Sequence, residues 1–154
     1  MPDKLFALAY KEGILIGFFN LPWEILGVYR SVRGKPPVIL LHKKIEHRRK
    51  ILRCVLAEEL GHHFMTSHDL LAFARSCKYM AKKYEKTALW WAAQYLIPFP
   101  ELVQAVNSGI LLTYELAEYF DVTERFMGMA LKLYYEKRRD AMVRLMIKVP
   151  EEIS

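Results

Sequence analysis

The chain has 154 residues, of which 53% are apolar and 13% aromatic, and it carries a formal charge of +6. That length and apolar content suit one compact domain with a real core and exclude a disordered tail. Two cysteines without CxxC spacing, Cys54 and Cys77, argue against a disulfide framework and for a reducing, cytoplasmic setting. The start of the chain lacks the features of a signal peptide. Its longest uncharged run, "TALWWAAQYLIPFP", falls short of the ~20 residues that span a bilayer, so no membrane association is expected.

"PDKLFALAYKEG" reads as a helix, with Leu5, Leu8 and Ala9 on one face and Gly13 closing the end. "ILIGFFN", "EILGVYRSV" and "PVILLH" read as three strands, the last two joined by a turn at "RGKP". From about 45 to 65 the apolar spacing becomes helical, and Thr66, Ser67 and Asp69 mark a break. A second long helix covers about 80–96 and must stop before Pro98, which pushes its predecessor out of helical geometry. Shorter helices are expected over 100–106 and 113–120. A last long one starts near Val122, where Asp121 and Glu124 have capping-box spacing. The fold class expected is α+β: a small N-terminal sheet packed on a mainly helical body, as one domain over 1–154 with 100–154 a helical extension.

The chemistry gathers in "LAEELGHHFM", residues 56–65. Glu58 and His62 are four residues apart, so both lie on one helix face and can reach one ion. Glu59 lies about 100° round the helix, where a base could polarise water at that ion. A carboxylate ligates zinc at ~2.0–2.2 Å. In place of an imidazole it weakens the Lewis acid and shifts preference towards harder ions such as manganese. The alternative is a solvated Glu-Glu pair followed by structural histidines. Gly61 counts against it. Glycine costs about 1 kcal/mol in a helix interior, so another segment is expected to approach closely there. Leu56, Leu60 and Phe64 place the helix in the core, where ionisable groups need partners. His63 points away from the Glu58 and His62 face and is expected to be structural or at the surface. His68, in the following loop, could approach the site. Cys54, one turn before Glu58, reads as a small buried hydrophobe.

"ILRCVLAEELGHHF" followed by "YEKTALWWAAQYLIP" resembles the ImmA/IrrE family of metallopeptidases. Ala57, Glu59, Leu60, Gly61, His62 and His63 match the family's first segment; Glu85, Ala88, Trp91, Ala92, Ala93, Leu96, Ile97 and Pro98 match its second. The resemblance implies a zincin-like body and a gluzincin-like zinc site. His62 and Glu85 would be ligands and Glu59 the general base, with Glu58 standing where the family has its first histidine ligand. Thr87 stands where many members have another acid before the alanine. The resemblance also implies cleavage of a helix-turn-helix repressor that silences a prophage or mobile element. A catalytically weak relative that only binds the repressor is the alternative.

A rival reading is nucleic-acid binding. "KKIEHRRKILR", 43–53, is the densest basic patch and is either a solvated face or a contact for nucleic acid or an acidic protein. "TYELAEYFDVTERFMGMALKLY" has the outline of a helix-turn-helix. Its second helix presents only Thr123, Glu124 and Arg125 for base edges, whereas Phe126, Met129, Ala130 and Leu133 form a packing face. Direct nucleic-acid binding is therefore not expected. Trp91 with Tyr95 reads as core, and Trp90 as core or pocket.

Overall fold

A computed structural model describes residues 3–65 and 78–146. The expected break at Thr66, Ser67 and Asp69, with His68 and Cys77, lies outside the described residues. Among them the order is α1 (Asp3–Lys11), β1 (Leu15–Phe19), β2 (Gly27–Arg30), β3 (Val38–His42), a 3-10 turn (Lys43–Ile45), α2 (Arg49–Met65), α3 (Lys78–Leu96), α4 (Phe99–Asn107), α5 (Thr113–Phe120), α6 (Glu124–Lys137) and α7 (Arg139–Met146). The class is α+β, as expected. The chain divides into two compact units, Met1–Ala92 and Ala93–Ser154, and the division falls inside α3.

In the first unit the sheet order is β1-β3-β2. β3 pairs in parallel with β1, Leu15 opposite Val38, and antiparallel with β2, Gly27 opposite Leu41. β3 is therefore central, and its Ile39 and Leu41 are fully buried. The β2–β3 hairpin closes where expected: Lys35 N–H donates to the Val32 carbonyl at 3.0 Å, and Gly34 takes φ 79°, a left-handed conformation that glycine adopts without strain. α2 packs across β2 and β3. It begins at Arg49, not near Ile45, because Ile45 closes the 3-10 turn, where the Glu46 N–H donates to the Lys43 carbonyl. Its buried residues include Leu52, Leu56, Leu60 and Cys54, so the thiol is a core group as expected.

Gly61 lies where α3 crosses α2. A Cβ at this position would run into the Ala88 carbonyl and would stand 2.9 Å from its carbon and 3.0 Å from its Cα. The bare backbone lets the helices touch main chain to main chain, which is the close approach the mid-helix glycine predicts. Trp91 is half-buried and stacks on Phe64 at 4.9 Å, while Tyr95 is 38% exposed, so the pair is not the core expected of it.

In the second unit, α3 ends at Leu96 and Pro98 caps α4, the stop that proline predicts. Tyr134 donates its hydroxyl to the Ile97 carbonyl at 2.6 Å, in an interior that pushes its pKa up to about 12. α5 and α6 are joined by a tight turn. Asp121 ends α5 with φ 54°, and Thr123, not Asp121, caps α6 by accepting from the Phe126 N–H at 3.1 Å. Phe126, Ala130 and Leu133 are buried as expected, with Met127, Leu131 and Tyr134 beside them.

Gly61→Ala should destabilise the protein by about 1–3 kcal/mol, because overpacking at Ala88 outweighs the gain in helix propensity. Gly128, inside α6, has nothing within 4 Å of a built Cβ, so Gly128→Ala should stabilise by up to about 1 kcal/mol. Urea denaturation of both variants checks the pair, which must move in opposite directions.

Candidate metal centre

The Gly61 and Ala88 contact sets the register of the site. His62 follows Gly61, and Glu85 lies one turn before Ala88, so the crossing brings their side chains together. His62 Nε2 stands 3.3 Å from Glu85 Oε2. The imidazole side chain is 9% exposed and the carboxylate 63%, so the pair opens to solvent on the Glu85 side alone. The Tyr84 ring stacks on His62 at 4.6 Å and holds its plane. His62 Nδ1 is buried without a hydrogen-bond partner.

Glu59 is buried beside this pair, 8% exposed. It sits against β2, where a Cβ at Gly27 would come within 2.8 Å of its Oε1; the glycine leaves the space that the carboxylate fills. The Tyr29 main-chain N–H donates to the carboxylate. That N–H faces the outer edge of β2. His42 N–H donates to the Leu26 carbonyl, and in the antiparallel alternation this makes Tyr29 and Ile39 a non-hydrogen-bonded pair.

The charges follow from this crowding. Burial pushes the Glu59 carboxyl up to about 7, and the neighbouring Glu58 and Glu85 add to it; His62 and the Tyr29 N–H oppose the rise. For His62, burial pushes the pKa down, but the Glu85 hydrogen bond and the charges of Glu85, Glu59 and Glu58 outweigh burial and leave it raised. Three carboxylates thus act on one imidazole, an excess of negative charge suited to a cation.

The donor set fits a divalent ion in part. Two ligands of a tetrahedral zinc, each bonded at ~2.0–2.1 Å, stand ~3.3–3.4 Å apart, which is the spacing of His62 Nε2 and Glu85 Oε2. Glu58 is half-buried and acts on His62 and Glu59 by charge. Among the described residues no three His, Cys, Asp or Glu side chains stand together closely enough to hold a metal.

His63 lies off this face, as expected. The Tyr29 hydroxyl is 2.9 Å from its Nδ1, and Glu12 Oε2 is 3.5 Å from its Nε2. Tyr29, Gly27 and Glu12 were not singled out from sequence. Their place depends on strand register, which no local spacing carries. Tyr84 precedes Glu85 directly, and an aromatic beside a ligand was the one signal available.

Residues 9–132 match the Peptidase_M78 family, described as the IrrE N-terminal-like domain. The chain belongs to this family. No curated protein and no solved structure matches it. The Peptidase_M78 match spans β1 to β3, α2 and α3 and so contains Glu58, Glu59, His62 and Glu85. No described helix is long and apolar enough to cross a membrane.

The sign of the Glu59 shift sets a pH dependence. Its folded pKa of about 7 lies above the ordinary 4.5, so the fold favours the protonated form. The penalty for ionising it is absent below 4.5, grows as pH rises towards 7 and is complete above 7. In EDTA, Glu59→Gln should match wild-type stability near pH 4 and exceed it by up to about 3 kcal/mol near pH 8. Denaturant melts at both pH values measure the difference.

Proposed function

We propose that the protein is a metal-dependent endopeptidase whose substrate is a helix-turn-helix repressor. One observation carries this reading: within the segments matched to a peptidase family, a buried Glu59 lies beside the His62 and Glu85 pair at 3.3 Å. His62 and Glu85 would hold the ion, with Glu58, one turn before His62, as the third donor. Zinc suits the imidazole, and manganese becomes competitive as carboxylates replace it. When bound, the ion supplies Lewis acidity towards a peptide carbonyl.

The chain's own groups do the rest. Glu59, with a pKa near neutrality, takes the proton from the attacking water and passes it to the leaving amine. The Tyr84 ring holds the His62 plane. The outward main-chain groups of Gly27 and the Tyr29 carbonyl, the Tyr29 N–H being held by Glu59, offer an extended peptide an edge to pair with, directly beside Glu59. That favours a protein substrate over a small molecule.

The charge distribution argues against direct DNA binding by the α5–α6 unit. Residues 1–92 hold sixteen Lys and Arg against eight Asp and Glu, whereas residues 93–154 hold seven against nine. The positive charge that would attract a duplex lies outside the helix-turn-helix segment. A second reading, a repressor-binding relative with little activity, is favoured by Glu58 standing outside a three-ligand group among the described residues.

Metal analysis and a cleavage assay with the cognate repressor separate the two. His62→Ala should lose the metal. Glu59→Gln should keep it while cleavage falls by about 10²–10⁴ fold. Unchanged metal content in His62→Ala would sink the site, and repressor bound but uncut by the metal-loaded wild type would favour the second reading.

A further inference from the structure

We infer that Tyr29 is a positioning residue for this site, and that its hydroxyl proton is committed to His63. The inference rests on the metal reading above for its consequence, but its hydrogen-bond order is independent of it.

The order follows from what each group can do. Glu12 Oε2 faces His63 Nε2 at 3.5 Å, longer than an ordinary hydrogen bond, and a carboxylate only accepts, so this contact favours the tautomer with the ring proton on Nε2. In that tautomer His63 Nδ1 is a lone pair, and the Tyr29 hydroxyl 2.9 Å away donates to it while accepting from its other side-chain partner, Ser31. The chain runs Tyr29 O–H to His63 Nδ1, then His63 Nε2–H to Glu12. It joins β2, the last turn of α2 and the residue just after α1.

Two consequences follow. First, Tyr29 grips the site from both ends. Its main-chain N–H holds the Glu59 carboxylate, and its hydroxyl holds the residue next to His62. His62 and His63 belong to the last turn of α2, where helices fray because the final carbonyls lack intrahelical donors. A ligand placed there needs an anchor on each side. Gly61 against Ala88 is one, and the Tyr29–His63–Glu12 chain is the other. Second, a hydroxyl whose proton is spent on His63 cannot donate to an oxyanion, so Tyr29 is not the group that stabilises the tetrahedral carbonyl oxygen.

Nitrogen NMR of ¹⁵N-histidine-labelled, metal-free protein tests the order. His63 should carry a proton on Nε2 and accept at Nδ1, and Tyr29→Phe should remove the hydrogen-bonded signature of Nδ1. A proton on Nδ1 in the wild type overturns the chain. Zinc titration by calorimetry tests the role. Tyr29→Phe should bind zinc about 10-fold more weakly or worse, with its fold intact by circular dichroism. His63→Gln, whose amide can accept from Tyr29 and donate to Glu12, should bind closer to wild type than His63→Ala does. Wild-type zinc affinity in Tyr29→Phe overturns the positioning role. A wild type that takes no zinc counts against the metal reading, and the NMR result then decides the chain alone.

Discussion

The site depends on a place where a side chain is missing. Gly61 lets the α3 backbone rest on α2 at Ala88, and everything else in the centre is measured from that contact. A glycine inside a helix weakens it by about 1 kcal/mol, so the position gives up local stability for proximity. Proximity is what pairs His62 and Glu85 across two helices. With a methyl group at 61 the Ala88 main chain would have to shift, and Glu85, one turn away, would shift with it. Another glycine acts at a different face of α2, where Gly27 leaves room for the Glu59 carboxylate against β2.

Given that geometry, the electrostatics are strained by design of the chain. Glu58, Glu59 and Glu85 surround one imidazole in a partly dry site, and no arginine or lysine is among the charges that set the Glu59 pKa. Most proteins neutralise such a cluster with a fixed cation from their own sequence. Here the carboxyl rises towards neutrality instead, and the fold tolerates a stability cost that a different sequence could avoid. Shifted carboxylates of this kind cluster at functional sites, and structural ion-pair networks produce them too.

Much of this was legible in the residues. The α+β class, the β2–β3 turn, the stop at Pro98 and the close approach at Gly61 rest on local rules of propensity and sterics, which hold whatever surrounds them. The His62 and Glu85 pairing came through resemblance, since no periodicity links two helices. The starts of α2 and α6 were misplaced, because a 3-10 turn mimics helical spacing and a left-handed Asp121 mimics a cap. Tyr29 and Glu12 were invisible, because a partner 34 residues away from His63 is set by sheet register alone.

The His62 and Glu85 pair is also unequal in order. The imidazole is already held by stacking and burial, whereas the carboxylate is 63% exposed at the end of a long side chain, in contact with His62. Clamping such a chain costs up to about 2 kcal/mol of rotamer entropy, a cost the imidazole has met on folding. An ion held between them would therefore leave from the Glu85 side, as that one arm swings away. Its residence time would be set by side-chain motion at the rim rather than by opening of the core, so such an ion would exchange with the surroundings without unfolding of the chain.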